Sequence, residues 1–443
     1  MGDRFKHIKR QDFYGIISSL MVMIPCLLSS IYSGIVYNGS MNLAYWIITV
    51  LIAILAVQQN GKLLITRRQT NWMIVWVGLF LITLLNNNGD LENNTQSPVI
   101  NWLVIVLFTT VIVMHKNFDD SHILNAIKIL LGIQLIAGFY FFLFPNQLMS
   151  LSGFFRLSGN ALRKFYNCIS AGYFMGFATH YSTSGIYMNL GTILSAACLL
   201  ADKARNRTFN KVKIVVFVFF LVALILTGKR AHLLFGGVAI LIMYFVGYVK
   251  GNLNKRLVQV FSFIFIFVVA IFIAMRIPAF STTIARFMTE STDLNDLSSN
   301  RVDSLWIPAW EAFKENPLFG IGWRQFKYQF PQTQSIYVIH NDVHNVYLQL
   351  LCETGVVGFI LFISTMVYTY ILTWKLLVCQ KRETESACYL QIMFSLGYQT
   401  FFLLYCFTGN PLYDIQCLFP YLISCAFTYK YYRVRHGKQE KIL

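Results

Sequence analysis

The chain has 443 residues, of which 56% are apolar and only 12% charged, about half the charged share of an ordinary soluble domain. That excludes a soluble enzyme of two or three domains. The net charge of +17 sits in short Lys and Arg clusters between apolar runs, with no basic stripe and no nucleic-acid motif, so membrane topology accounts for it better than nucleic-acid binding does.

One helical crossing of a bilayer takes about 20 apolar residues. Runs of that order fall at 13–36, 42–57, 71–85, 98–114, 123–144, 184–201, 214–227, 233–249, 257–275, 346–374, 388–408 and 416–432. They predict an all-α polytopic membrane protein with about twelve spans. Runs 42–57 and 214–227 are short, and the break between 227 and 233 is compatible with a loop dipping into the membrane. Nine cysteines, among them Cys26, Cys198, Cys406 and Cys425 inside the runs and Cys379 just past one, form no C-x-x-C pair. They read as packing residues, not as a disulfide framework or a zinc site.

Orientation follows from the loops. With the N-terminus inside, Lys and Arg collect in the inner segments near 4–10, 62–68, 203–213, 250–256, 375–382 and 430–441, while the outer loops 37–41, 86–97 and 409–415 hold none. Both termini are therefore expected in the cytoplasm. The first run follows a basic segment but is too long for a signal peptide and lacks a small-x-small cleavage site, so it reads as a retained anchor. No repeat or Pro-rich linker divides the chain, which predicts a single transmembrane domain over 1–443. The outer segments 145–183 and 276–345 are expected to form an extracytoplasmic cap, with a tight outer turn at 228–232.

The outer cations are the first candidates for chemistry: Arg156, Arg163, Lys164, Lys229, Arg230, Arg276, Arg286, Arg301, Lys314, Arg324 and Lys327. Most read as solvated loop charge. Arg230, in TGKRAHLL, sits between two apolar runs, where a cation calls for an anionic partner, a protein carboxylate or a lipid phosphate. In RVDSLWIPAWEAFKE (301–315) the aromatic residues Trp306, Trp310 and Phe313 share one helical face. That predicts an amphipathic helix on the outer leaflet, a position from which it can also cover a cleft. NPLFGIGW (316–323) supplies turn residues.

His344, within HNDVHNVYLQLLCETGVVGFILF (340–362), lies at the outer mouth of a helix. The positive end of the helix dipole and a nearby arginine there favour neutral imidazole, the form a general base must have. The plainer reading is an interfacial histidine bonded to headgroups. Gly355 and Gly358, read alone, are helix-packing residues. The outer carboxylates Asp293, Asp296, Asp303, Glu311, Glu315, Asp342 and Glu353 form no D-x-D or H-E-x-x-H pattern, and no phosphate-cradling glycine motif is present. No metal or other cofactor is expected, so the substrate must arrive already activated.

These motifs together resemble the O-antigen ligase and Wzy-type polysaccharide polymerase superfamily. The family's R-x-x-x-L at an outer turn is matched by Arg230 and Leu234. Its H-[NSQ]-x9-G-x-x-G is matched by His344, Asn345, nine residues, Gly355 and Gly358. Arg301, Trp306, Trp310 and the run Pro317, Gly320, Gly322 resemble its intervening Arg, aromatics and P-x-x-G-x-G, and RLSGNA followed by THYSTSGIYMNLG its earlier outer loop. Phe359 stands where ligases often carry Thr, and Lys229 adds a cation before Arg230.

The resemblance implies metal-independent transfer of a glycan from undecaprenyl pyrophosphate to an acceptor hydroxyl, outside the bacterial cytoplasmic membrane. On that reading Arg230 and Arg301 neutralise the pyrophosphate and His344 takes the hydroxyl proton, all three in one outer cavity. Arg156, Arg163, Lys229, His340, Asn345, Trp306, Trp310 and Arg324 are expected to bind substrate. Expected partners are the polyprenyl-pyrophosphate-linked oligosaccharide donor, a glycan acceptor, membrane lipid and a chain-length regulator protein, with no nucleic acid. Polymerase is favoured over ligase by Phe359 and by the wording of TGKRAHLL and NVYLQLLCETGVVGF. A lipid-linked sugar flippase or exporter is the reading from another class, disfavoured because the spans are nearly free of charge.

Overall fold

The computed structural model describes residues 2–36, 39–58, 65, 67–85, 96–206, 210–247, 258, 301–334, 337–339, 341–380 and 389–436. Apart from residue 258, the expected span 257–275 lies outside the described residues, and so do Arg276, Arg286, Asp293, Asp296 and His340.

What is described is almost wholly helical. In chain order the helices are α1 (Gly2–Leu27), α2 (Ser29–Ile35), α3 (Gly39–Val57), α4 (Arg67–Leu85), α5 (Gln96–Leu107), α6 (Asp120–Leu143), α7 (Pro145–Ser150), α8 (Gly159–Ser170), α9 (Tyr181–Asn206), α10 (Lys211–Leu226), α11 (Arg230–Ile242), α12 (Ile307–Glu315), α13 (Phe326–Gln329), α14 (Val346–Gln380), α15 (Tyr389–Tyr405) and α16 (Ile415–His436). The departure from an all-α fold is a short antiparallel hairpin, β1 (Gln332–Gln334) and β2 (Tyr337–Ile339), with Thr333 opposite Val338.

A helix apolar on every side belongs in the middle of a bundle, and α15 buries each residue from Ile392 to Phe402. α9 and α16 lie beside it and are almost as enclosed. Several polar side chains in this centre pair with one another, as a dry interior favours. Thr373 of α14 donates to Gln399 Oε1 of α15 (2.9 Å) and lies 2.7 Å from Thr428 Oγ1 of α16, tying three helices together.

The outer helices instead expose rows of apolar side chains: Leu43, Ile47, Leu51 and Leu55 on α3, Ile129, Ile133 and Ile136 on α6, Ile360, Val367 and Ile371 on α14. Exposed apolar rows of this length are what a lipid-facing surface presents. Among the described residues, five helices are long and apolar enough to cross a bilayer, and a sixth if α1 and α2, bent by 101° at Leu28, count as one span. α10 and α15, at 16 and 17 residues, fall just short of the roughly 20 that a straight crossing takes.

One buried ion pair closes the bundle. Lys430 Nζ donates to Asp120 Oδ1 and to the Phe118 carbonyl, both at 2.6 Å, while Tyr431 Oη donates to Asp120 Oδ2. Removing one partner of a buried pair leaves the other charge unmet, at a cost of about 3–5 kcal/mol. Lys430→Ala should therefore lower the melting temperature in detergent strongly, and the double variant Lys430→Met, Asp120→Leu should recover most of the loss. Equal melting of wild type and Lys430→Ala would show that the pair contributes little.

Candidate active site

The first component is the turn between α10 and α11. Gly228 takes a left-handed φ of +71°, so the chain reverses within Thr227, Gly228 and Lys229, a tighter turn than 228–232. Phe174 N–H donates to the Leu226 carbonyl (3.1 Å), holding the turn against the segment after α8. The stem of Lys229 crosses Gly185, where a Cβ would stand 2.8 Å from Lys229 Cγ, and its ammonium sits 4.8 Å over the Tyr181 ring. Arg230 follows as the first residue of α11, partly buried.

The second component begins at Arg301. A wide π turn over Val302–Trp306 precedes α12, and it shifts the buried stripe to Leu305, Ala309 and Ala312. The expected face of Trp306, Trp310 and Phe313 is thus one residue out of register. Trp306 turns inward and donates from Nε1 to the Val343 carbonyl (3.2 Å), whereas Trp310 is exposed against Phe313.

Next, the two glycine motifs lock into each other. Gly355 has φ +62° and ψ −170°, which breaks α14 into two helices. At this break Val356 N–H reaches back to the Pro317 carbonyl (2.8 Å), and Ile321 and Gly322 N–H donate to the carbonyls of Cys352 and Glu353 (both 3.0 Å). A Cβ on Gly355 would lie 2.3 Å from the Leu318 carbonyl carbon, and one on Gly320, 2.3 Å from that of Glu353. Gly355 is therefore a chain break at a backbone crossing, not a helix-packing residue. Inside the lock Glu353 is fully buried and accepts from Arg324 N–H (2.9 Å), Tyr413 Oη (2.7 Å) and Gln349 Nε2 (3.0 Å).

This lock fixes the mouth of α14, where His344 stands. Asn345 caps the helix, its Oδ1 accepting from Leu348 N–H (3.2 Å), and Val346 N–H donates to the Cys406 carbonyl (2.8 Å) at the end of α15. His344 Nδ1 lies 3.2 Å from the Asn410 amide. Among the described residues the non-glycine positions with positive φ are Arg156, Arg324 and His344, all three named from sequence. Such conformations cost about 1–3 kcal/mol each and collect at functional sites.

Electrostatics join the components. Burial, then the Arg301 guanidinium and the Lys229 ammonium, lower the His344 pKa to about 4 against the opposing pull of Asp342, so the imidazole is neutral at pH 7. Burial and then Arg301 lower Lys229 to about 8, opposed by Asp414. Asp414 is raised to about 7 by burial and Asp342, against Arg324 and Lys229. His180, beside Tyr181, is lowered to about 4 by burial and Lys229.

His344, Arg301 and Lys229 are thus brought within electrostatic reach of one another. The charge next to them at the α11 turn is Lys229, with Arg230 one residue further on. Arg324 joins through its backbone bond to Glu353 and through its guanidinium, 5.9 Å from the Tyr413 ring centre. Arg156 and Arg163 are exposed, on the turn before α8 and on α8, whose inner face is Phe165, Cys168 and Ile169. Residues 215–363 match the family model of O-antigen ligase.

Over these residues the chain is similar to the O-antigen ligase and Wzy-type polymerase superfamily. No curated protein matches it. The O-antigen ligase match runs from α10 into α14 and so takes in Lys229, Arg230, Arg301, both glycine motifs and His344. The family implies a multi-pass membrane enzyme acting on lipid-linked glycans. Asn410, Tyr413 and Asp414 lie beyond the match, in the loop between α15 and α16, which carries no Lys or Arg, and only the fold brings them to His344.

A pH profile follows from the two shifted groups. A base must be unprotonated, so kcat/KM should fall as pH drops through about 4, and an anion site needs its lysine charged, so it should fall again as pH rises through about 8. If the donor carries the expected pyrophosphate, its negative charge beside His344 should displace the acid limb of kcat to higher pH than that of kcat/KM. A profile flat from pH 4 to 9 would contradict both assignments.

Proposed function

We propose that this chain is a polysaccharide polymerase: it joins oligosaccharide repeat units carried on undecaprenyl pyrophosphate into O-antigen, capsule or exopolysaccharide, without a metal ion. It works at the outer face of the bacterial cytoplasmic membrane, with about twelve crossings and both termini inside. Segments 145–183 and 276–345 cap the site. A chain-length regulator is the protein partner this activity calls for. The reading is carried by a neutral histidine at an outer helix mouth, within electrostatic reach of Arg301 and Lys229.

The acceptor hydroxyl gives its proton to the neutral His344 imidazole while its oxygen attacks sugar C1. The bond from C1 to the pyrophosphate oxygen breaks, and undecaprenyl pyrophosphate leaves with the electron pair. Arg301, Arg230 and Lys229 neutralise the charge that grows on its phosphates, which a site shielded from water makes worth far more than in bulk. A single displacement of this kind inverts the anomeric centre.

Arg301→Ala and Arg230→Ala should each weaken donor binding and slow turnover together, because the pyrophosphate is charged before and during the reaction. Lysine should restore only part of either loss, since it lacks the paired donors of guanidinium. A variant that changes turnover alone would assign that arginine a different role.

The second reading is ligase, transfer to a lipid A core glycan, which the description of the matched family favours. Purified protein supplied with lipid-linked oligosaccharide separates the two on a gel. A ladder, formed equally in EDTA, is expected. A single step that requires a core acceptor would establish ligase, and no product in either case would favour transport. Loss of activity in EDTA restored by magnesium would overturn the metal-free mechanism and direct attention to Asp293, Asp296 and Asp303.

A further inference from the structure

Lys229 is the N-cap residue of α11, at the positive end of a helix, where another positive charge is unfavourable and an anion is stabilised. Lys430, the buried lysine at the other end of the chain, is met by a carboxylate, Asp120, at 2.6 Å. Among the described residues no carboxylate forms such a pair with Lys229, and Asp414 acts on it from further off. Its ammonium is held instead against an aromatic face, 4.8 Å from the centre of the Tyr181 ring.

Residue spacing builds this seat. Tyr181 and Gly185 stand four residues apart in α9, hence on one face of the helix. Gly185 leaves a slot that the Lys229 stem fills, since a Cβ there would lie 2.8 Å from Lys229 Cγ, and the ammonium at the end of that stem meets the Tyr181 ring. Tyr173 stacks on the same ring at 4.5 Å and 15°. It is touched in turn by the α10–α11 turn, where a Cβ on Gly228 would come within 2.9 Å of Tyr173 Cε1. Stem, rings and turn thus fix one another. A lysine held in advance loses less rotamer freedom when an anion arrives. A carboxylate would hold it as well, but would cancel its charge and have to be displaced, whereas an aromatic face attracts a cation without neutralising it.

We propose that Tyr181 is a positioning residue: its ring seats the Lys229 ammonium, charge uncancelled, for the phosphates of the donor. This rests on the role proposed above for Lys229. A tyrosine that merely packs against Tyr173 and His180 depends on the shape of its ring. A seat for a cation depends on the negative charge of the ring's face.

The test uses the whole chain in nanodiscs, titrated with inorganic pyrophosphate, with donor kinetics measured alongside. Tyr181→Phe should keep the pyrophosphate Kd within a few-fold of wild type. One, two and three fluorines on that phenylalanine ring drain its face of negative charge while hardly changing its shape. They should raise Kd stepwise, by about 2- to 30-fold over the series, and donor KM should rise in step. In the Lys229→Met background the same series should be flat, because the ring then has no cation to hold. A flat series in the presence of Lys229 would overturn the proposal, and so would an equal slope in its absence. The fluorinated rings are nearly isosteric, so the result does not depend on a truncation such as Tyr181→Leu folding. Lys229→Met also separates the two possible failures. If it raises Kd while the series is flat, the seat alone is refuted; if it leaves Kd unchanged, Lys229 has no part in binding the anion and the seat falls with it.

Discussion

His344→Ala should lower turnover by about 10²- to 10⁴-fold and leave donor affinity within a few-fold of wild type. The asymmetry follows from the charge state. The imidazole is neutral at pH 7, its pKa lowered to about 4 by burial and Arg301, so it contributes little to holding an anionic donor. Its contribution comes when the acceptor hydroxyl, far too weak an acid to ionise alone, sheds its proton in the transition state. Turnover unchanged in a correctly folded His344→Ala would leave a structural interfacial histidine as the better account. The search for a base would then move to Asp342 and Asp303, since Glu353 already has both carboxylate oxygens engaged, Oε2 by Tyr413 and Arg324 and Oε1 by Gln349.

Gly355→Ala should be the most damaging of the glycine substitutions, in stability and in rate. Its φ of +62° with ψ −170° lies in a region essentially reserved for glycine and costs an alanine about 1–3 kcal/mol by itself. The larger penalty is steric, because the new Cβ would stand 2.3 Å from the Leu318 carbonyl carbon, backbone that can move only by opening the lock. Residues 317–324 would have to withdraw, taking Arg324 away from Glu353 and Tyr413. A displacement of about 1 Å at a site can cost roughly 10²-fold in rate, and thermal unfolding should begin several degrees lower. Gly132→Ala is the control: on α6 its Cβ would meet nothing within 4 Å, so melting and kcat should be unchanged or slightly improved. Equal behaviour of the two variants would show that the crossing of the glycine motifs carries no energetic weight.

The sequence is readable where the physics is local. Apolar runs announce the helices, the turn residues after Asn316 announce a loop, and a histidine just before Val346 announces a helix mouth. His344, Arg301 and Lys229 are legible in this way, as cations and an imidazole at the edges of apolar runs. What is not legible depends on residues far apart in the chain. Gly355 looks like a packing glycine because nothing nearby in sequence reveals that Leu318 passes within contact of its Cα. Trp306 and Trp310 look like one face because the period assumed is 3.6, and the π turn over Val302–Trp306 offsets it by a residue. Asn410, Tyr413 and Asp414 escape notice because their loop has no cations, yet a bundle that places α15 beside α14 returns that loop to His344. A carboxylate in a loop without cations was the available signal.

The most direct measurement is to map where the donor sits. A polyprenyl-pyrophosphate-linked oligosaccharide bearing a diazirine on its first sugar would be photolysed with the purified protein and the adducts located by mass spectrometry. Adducts are expected on peptides containing Lys229, Arg301, His344 and Asn410, and they should vanish when unlabelled donor is in excess. Adducts confined to other segments, with none on the peptides of Arg301 and His344, would contradict a shared site for donor, arginine and base.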